Sequence, residues 1–194
     1  MIEAIILAAG EGTRLGEIKP LVSVGTKTAL ERTIDTCRQA GIERVVVVLG
    51  HAADKIADRV RLDDCTVVVN RGYREGMGSS LAAGIASLDD NCRGFLIMHA
   101  DMPCISDSTV CAVIAEAEKG ARIAAPTYRG ERGFPVYLSS TCIGDLLPTL
   151  NGEVGARGYI AEHASELKLV PVDDWGAVFD IDSAADLDRV EDTT

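Results

Sequence analysis

IEAIILAAGEGTRLGEIKP, residues 2–20, is the stretch that decides the fold. Its first six residues are mostly apolar and rich in isoleucine, which predicts a β-strand buried on both faces of a parallel sheet. Gly10, Gly12 and Gly16 follow at once and predict a loop at the carboxyl end of that strand. Such loops form the ligand crevice of open α/β sheets, so this segment predicts a binding site as well as a strand.

The rest of the chain alternates short apolar runs with amphipathic stretches. Further short apolar runs predict strands at residues 44–49, 66–69, 95–98, 123–125 and 167–172. Apolar residues at helical spacing predict helices around residues 30–37, 56–60, 81–88, 110–117 and from about 183. Residues 134–138 contain Pro135 and predict an antiparallel insertion at the sheet edge. These patterns predict a single α/β domain over residues 1–194. We expect three layers, with a mostly parallel sheet between two layers of helices in a Rossmann-like arrangement.

Composition and charge exclude several classes of protein. The chain has 194 residues, and its net charge of −11 argues against a nucleic-acid partner. Its longest apolar runs, residues 4–9 and 45–49, are far below the roughly 18 residues of a membrane helix. The start lacks the features of a signal peptide, so we expect a cytoplasmic protein. The six cysteines lack Cys-x-x-Cys spacing and the three histidines are scattered, so we expect reduced thiols.

The glycine-rich loop carries two cations, Arg14 and Lys19. Glycines allow backbone N–H groups to turn toward an anion, and two charges in the same loop favour a triphosphate. The glycine spacing fits neither the dinucleotide fingerprint nor the Walker loop. The alternative is a glycine-rich turn with two solvated cations.

Later segments place further candidate ligands beside predicted strands. Ser79 and Ser80 stand near the start of a predicted helix, where they suit a phosphate or a ribose, with a helix cap as the alternative. Asp101 and Asp182 follow strands, where carboxylates suit Mg²⁺, again with capping as the alternative. His99 shares the strand parity of Asp101, but a phosphate nucleophile needs no general base.

Residues 7–16, with Lys19 after them, resemble the signature of the nucleotidyltransferases that couple nucleoside triphosphates to phosphorylated acceptors. The length and the later motifs resemble the molybdenum cofactor nucleotidyltransferases, above all their cytidylyltransferase branch. These motifs are Asn70 with residues 76–81, and residues 101–103, 130–136, 155–157 and 180–182. Two positions depart from that branch. Phe134 stands where a histidine is common, and Pro20 follows Lys19 as in members that act on sugar phosphates.

The resemblance implies the nucleotidyltransferase form of the fold and a transfer, dependent on Mg²⁺ or Mn²⁺, of CMP from CTP to molybdopterin carrying molybdenum. It implies catalytic roles for Arg14, Lys19 and Asp101, and metal binding by Asp101 and Asp182. The implied nucleotide-binding positions are Leu7, Ala8, Ala9, Gly10, Gly12, Arg14, Lys19, Asn70, Gly76, Ser79 and Ser80. The implied acceptor-binding positions are Met77, Arg132, Gly133, Phe134 and Arg157. A molybdoenzyme that receives the product is the implied partner.

Three alternatives stay open. Transfer to a sugar 1-phosphate or another small phosphate is favoured by Pro20 after Lys19. A guanylyltransferase that uses GTP is the second, because backbone geometry decides which base is bound. The third is a nucleotide-binding chaperone without catalysis, against which Arg14, Lys19, Asp101 and Asp182 argue.

Overall fold

The computed structural model of this chain describes residues 1–12 and 17–191. The described residues form ten strands, namely β1 (Ile2–Ala8), β2 (Ser23–Val24), β3 (Lys27–Thr28), β4 (Val45–Leu49), β5 (Thr66–Val69), β6 (Gly94–His99), β7 (Ile123–Tyr128), β8 (Glu131–Arg132), β9 (Val136–Ser139) and β10 (Leu167–Pro171). They also form the α-helices α1 (Ala29–Gln39), α2 (Ala53–Arg59), α3 (Met77–Ile85), α4 (Asp107–Glu118), α5 (Ile143–Leu146), α6 (Arg157–Glu162) and α7 (Ala184–Glu191).

The first strand, β1, lies inside the main sheet, whose order is β10-β7-β9-β6-β1-β4-β5, with β8 paired to β7. It pairs in parallel with β4 and β6, so that Ile5 lies opposite Val46 and Ile97. Ala4 and Ile6 pack in a cluster with α1, α2 and α4, whereas Ile5 and Leu7 pack in a second cluster with α3, α5 and α6. Burial on both faces explains the apolar run and confirms the predicted α/β/α layers and mostly parallel sheet.

The start of α1 shows how local sequence sets a helix boundary. The Thr28 hydroxyl accepts a hydrogen bond from the Glu31 N–H, and the Glu31 carboxylate accepts one from the Thr28 N–H. This capping box satisfies two backbone donors that the helix itself leaves free. The predicted helix at residues 30–37 therefore begins at Ala29, directly after the short hairpin of β2 and β3.

The insertion at residues 134–138 is antiparallel, as predicted, but its predicted place at the sheet edge is wrong. β9 lies between β6 and β7 and pairs with both in the antiparallel sense. Pro135 precedes the first residue of β9, so its missing N–H removes no bond from either ladder. The edge strands of the seven-strand path are β5 and β10.

The parallel strands bring the glycine-rich loop and Asp101 to one edge of the sheet. Leu7 of β1 pairs with His99 of β6, and the Ala100 N–H donates to the Leu7 carbonyl oxygen at 3.1 Å. The residues after both strands therefore leave the sheet side by side. In the described part of the chain, no helix combines the length and the apolar character needed to cross a bilayer.

Candidate active site

A cavity of about 500 Å³, the first cavity, opens at the carboxyl end of β1. Gly12 turns the loop with a φ of +57°, a conformation that glycine adopts without strain. A β-carbon on Gly12 would lie 3.0 Å from Lys19 Cγ, so the lysine stem packs against this turn. The predicted nucleotide-binding residues that line the cavity are Leu7, Ala8, Ala9, Gly10, Gly12, Lys19 and Ser80. Arg14, which carries two of the predicted roles, lies outside the described residues.

The side chain of Asn70 supports the wall of the first cavity through three hydrogen bonds. Its amide nitrogen donates to Ser79 Oγ at 2.9 Å and to Ser80 Oγ at 3.0 Å, and its oxygen accepts from the Gly72 N–H at 2.9 Å. Ser79 Oγ in turn donates to the Gly76 carbonyl oxygen at 2.8 Å. Asn70 and Ser79 thus tie the start of α3 to the preceding loop, and Ser80 is the serine of this group that lines the cavity.

Two glycines at the start of α3 allow a distant segment to approach. A β-carbon on Gly76, which has a φ of +105°, would lie 2.3 Å from the Gly152 carbonyl carbon. A β-carbon on Gly78 would lie 2.8 Å from the Leu150 carbonyl carbon. Glycine at both positions therefore allows a close contact between backbones. That contact places Glu153 in the wall of the first cavity.

Asp101 and Asp182 meet at Lys19. The Lys19 ammonium donates to Asp101 Oδ2 at 3.0 Å and to Asp182 Oδ1 at 2.5 Å. The two aspartates are far apart in sequence, and the Ile181 N–H brings them together by donating to the Asp101 carbonyl oxygen at 2.9 Å. Earlier in the same segment, Gly176 packs so closely that a β-carbon there would lie 2.0 Å from the Cys104 carbonyl oxygen.

The charges of this cluster shift its protonation equilibria. Burial lowers the pKa of Lys19, but the hydrogen bonds and charges of Asp182 and Asp101 outweigh it and leave the pKa above its ordinary value. Desolvation, followed by the negative charges of Asp101 and Asp182, raises the pKa of the neighbouring Asp180. Burial lowers the pKa of His99 despite the carboxylates nearby. His99 lines both cavities.

The pair of aspartates fits a divalent cation. Two carboxylate oxygens lie within 3.0 Å of one nitrogen atom, so they converge on a single cationic position. Mg²⁺ typically binds one or two protein carboxylates and completes its shell with substrate phosphates and water. Within residues 1–12 and 17–191, no group of three or more His, Cys, Asp or Glu residues has the geometry of a metal site. Asp101 and Asp182 therefore suit a metal that is shared with a phosphorylated substrate.

A second cavity of about 520 Å³ lies on the other side of this cluster. It contains all five predicted acceptor-binding residues, Met77, Arg132, Gly133, Phe134 and Arg157. It shares Leu7, Met77, His99 and Asp101 with the first cavity, so the two cavities meet beside Asp101.

Phe134, the residue that departs from the cytidylyltransferase pattern, forms part of the second cavity. Its ring meets His99 edge-on with 4.5 Å between ring centres. Its N–H donates to the Ala177 carbonyl oxygen at 2.8 Å, and a β-carbon on Gly133 would lie 2.1 Å from that oxygen. The turn at residues 133–134 therefore packs directly on the segment that leads to Asp182.

Sequence reasoning missed several side chains of the first cavity, namely Glu11, Tyr73, Arg74 and Glu153. Arg74 Nε donates to Glu11 Oε1 at 3.1 Å, and its guanidinium lies 5.5 Å from the centre of the Tyr73 ring. These three side chains link the glycine-rich loop to the turn before α3. Their one signal in the sequence is that Tyr73 and Arg74 closely precede the Gly76 motif.

Relatives of known name match most of this chain. Nicotine blue oxidoreductase of Paenarthrobacter nicotinovorans is 28% identical over 197 residues, covering 97% of this chain and 96% of that protein. The bifunctional protein GlmU of Pseudomonas paraeruginosa is 34% identical over 169 residues, covering 84% of this chain. This chain spans only 33% of the length of that GlmU protein.

Solved structures confirm the fold. The crystal structure of Rv0371c from Mycobacterium tuberculosis H37Rv superposes with a TM-score of 0.86 at 29% identity, covering 98% of this chain and 97% of that chain. A structure of Rv0371c in complex with manganese gives a TM-score of 0.84 at 26% identity, covering 100% and 99%.

The family model of the MobA-like NTP transferase domain matches residues 4–167. The match includes the glycine-rich loop, the start of α3, Asp101 and the second cavity's Arg132 and Arg157, and it ends before Asp182. Since it covers most of the chain, this protein belongs to the MobA-like NTP transferase domain family of nucleotidyltransferases.

Proposed function

We propose that this protein transfers CMP from CTP to molybdopterin carrying molybdenum, with a divalent metal and with release of pyrophosphate. One observation carries the proposal. Asp101 and Asp182 converge on a single cationic position, and Asp101 lines both cavities at the point where they meet. A nucleotide in the first cavity and an acceptor in the second would then place their reacting phosphates beside these carboxylates.

The proposed reaction is an in-line displacement at phosphorus. An acceptor phosphate oxygen forms a bond to the α-phosphorus, the bond from that phosphorus to the oxygen bridging to the β-phosphate breaks, and pyrophosphate leaves with the electron pair. The acceptor phosphate is already an anion, so no residue must remove a proton from it. Catalysis then depends on positioning and on positive charge placed where negative charge accumulates.

Residues of the first cavity would supply both the positioning and the positive charge. The backbone of residues 8–10 lines the cavity and would orient the base, as the family resemblance implies. Lys19 lies beside the glycine-rich turn and would neutralise the leaving pyrophosphate, with Arg14 as the second cation. Ser80 offers a hydroxyl to the nucleotide, held in place by Asn70.

Asp101 and Asp182 would hold the metal, Mg²⁺ or Mn²⁺. When bound, such an ion neutralises phosphate charge and fixes the orientation of the triphosphate. The manganese complex of Rv0371c supports the choice of a divalent cation. The convergence of two carboxylates supports its location.

The second cavity supports a large, partly apolar acceptor with anionic groups. Met77, Phe134 and other apolar side chains line it, while Arg132 and Arg157 supply two cations at its wall. Molybdopterin combines a flat ring system with a phosphate, which suits such a lining. We propose in addition that a molybdoenzyme receives the product, that the protein acts in the cytoplasm, and that residues 1–194 form one domain.

Two other functions have a specific observation in their favour. Transfer to a sugar 1-phosphate is favoured by Pro20, which lines the first cavity after Lys19, and by the similarity to GlmU. An oxidoreductase activity is favoured by the match, over 97% of this chain, to the protein named nicotine blue oxidoreductase. Conversion of nicotine blue by the purified protein, with an added electron donor or acceptor, would identify that activity.

Pyrophosphate release tests the proposal. The protein would be incubated with Mg²⁺, each of the four nucleoside triphosphates, and either molybdopterin carrying molybdenum or a sugar 1-phosphate. We expect release with CTP and molybdopterin, and none from Asp101→Asn, whose circular dichroism spectrum should show that it remains folded. Release with GTP would identify a guanylyltransferase, and release with the sugar would identify a sugar-phosphate enzyme. Tight nucleotide binding without release would identify a chaperone.

A further inference from the structure

Lys19 stands where the proposed metal would bind. Its ammonium lies 3.0 Å from Asp101 Oδ2 and 2.5 Å from Asp182 Oδ1, and these are the two carboxylates that converge on the proposed metal position. The Lys19 side chain is 16% exposed, so its charge is held between the carboxylates rather than in solvent. A divalent cation placed between the same two groups would repel the ammonium. The two carboxylate oxygens that bind Lys19 can therefore hold only one of the two cations at a time.

The first cavity offers the ammonium a second position. Lys19 lines this cavity, and its stem lies against Gly12, where the absence of a β-carbon leaves room for it. A lysine ammonium sits on a flexible four-carbon stem, so it can change partners without a change of the backbone. A triphosphate in the first cavity would supply the anionic oxygens that replace the carboxylates.

We propose that Lys19 is an exchangeable internal cation, which the divalent metal displaces from Asp101 and Asp182 and which then binds the triphosphate. The inference rests on the proposed function. It adds a coupling between the two ligands, because the metal releases the group that the triphosphate needs. Such coupling is reciprocal, so the triphosphate also favours metal binding by keeping Lys19 away from the carboxylates.

Metal binding without nucleotide gives the first test. Mn²⁺ would be titrated into the wild-type protein and into Lys19→Met, with free Mn²⁺ followed by electron paramagnetic resonance. We expect Lys19→Met to bind Mn²⁺ about fivefold more tightly or better, since no ammonium competes. The matched control is Lys27→Met, which removes a lysine paired with Asp35 at the surface and should bind Mn²⁺ as the wild type does. Equal affinity in Lys19→Met and the wild type would overturn the exchange.

The loss of a positive charge alone would also tighten Mn²⁺, so a second measurement follows the ammonium itself in the unsubstituted chain. The chain has five lysines, at positions 19, 27, 55, 119 and 168, which makes a ¹³C-methyl-lysine NMR spectrum readable after reductive methylation. We expect the Lys19 signal, assigned by its absence from Lys19→Met, to shift as Mg²⁺ is added while the Lys27 signal stays fixed. An unchanged Lys19 signal at saturating Mg²⁺ would mean that the metal displaces nothing.

Asp101→Asn separates failure of the inference from failure of the proposed function. Suppose that Asp101→Asn loses Mn²⁺ binding, but the Lys19 NMR signal of the unsubstituted chain does not shift and Lys19→Met binds Mn²⁺ no more tightly. The metal site is then right and the exchange is wrong. If Asp101→Asn binds Mn²⁺ as the wild type does, the proposed metal site is wrong and the exchange is overturned with it.

Discussion

Gly176→Ala tests how the segment before Asp182 positions the metal ligands. A β-carbon at this position would lie 2.0 Å from the Cys104 carbonyl oxygen, 2.3 Å from its carbon and 2.8 Å from the Ile105 nitrogen. All three are backbone atoms, so no flexible side chain can move aside. To reach an ordinary contact distance, the two backbones must separate by roughly an ångström or more.

The separation has two consequences of different size. Overpacking of this kind costs about 2 kcal/mol, which lowers the thermal midpoint of a protein of this length by about 4–8 °C. The same separation strains the Ile181 N–H bond to the Asp101 carbonyl oxygen, and a longer bond there would move Asp182 relative to Asp101. A displacement of about 1 Å at a reacting centre costs about 100-fold in rate.

The assay compares thermal unfolding, Mn²⁺ affinity and pyrophosphate release in Gly176→Ala and in Gly144→Ala. Gly144 lies in α5 with nothing within 4 Å of an added β-carbon, so its substitution should change the free energy of unfolding by less than about 1 kcal/mol. We expect Gly176→Ala to remain folded but to lose most Mn²⁺ binding and release. Wild-type Mn²⁺ affinity in Gly176→Ala would refute the argument that this close approach sets the relative position of Asp101 and Asp182.

Three further predictions concern other parts of the site. Asn70→Ala removes three hydrogen bonds behind the first cavity, one of which holds Ser80 in the cavity wall. Since that one bond contributes about 1 kcal/mol, steady-state kinetics should show KM for the nucleotide raised about fivefold, whereas an unchanged KM would leave Asn70 without a positioning role. Arg132→Ala and Arg157→Ala should raise KM for the acceptor and not for the nucleotide. The reverse pattern would mean that the nucleotide binds in the second cavity and the acceptor in the first. Because the pKa of Lys19 is raised in the folded protein, the stability that its ion pairs contribute is complete below the ordinary value of 10.5 and is lost as the pH rises through the folded pKa. Thermal midpoints of the wild type and Lys19→Met should therefore converge only in strongly alkaline buffer, and convergence at neutral pH would contradict this.

The parallel strands were predictable from sequence because their apolar character is local. β1, β4 and β6 are buried on both faces, which forces nearly every residue to be apolar. The position of β9 was not predictable in the same way. Its place between β6 and β7 depends on pairing with two strands that are distant in the chain, and Pro135 in the sequence favoured an edge.

The site was predictable where a motif follows a strand directly, as the glycine-rich loop and Asp101 do. The proximity of Asp101 and Asp182 was expected from the resemblance, but its physical cause is non-local. Gly133 and Gly176 allow the segment before Asp182 to pack closely on two other parts of the backbone. No periodic pattern in the sequence predicts such close approaches. Glu153 reaches the first cavity for a similar reason, since a short turn packs on Gly76.

Anomalous diffraction from a crystal grown with Mn²⁺ and CTP tests the central claim most directly, because manganese is located by its own scattering. We predict one strong peak between Asp101 and Asp182, within coordination distance of an oxygen of each carboxylate. Lys19 Nζ should then lie on the triphosphate and no longer between the aspartates. A manganese peak elsewhere, with Asp101 and Asp182 still bonded to Lys19 beside a bound CTP, would contradict the account.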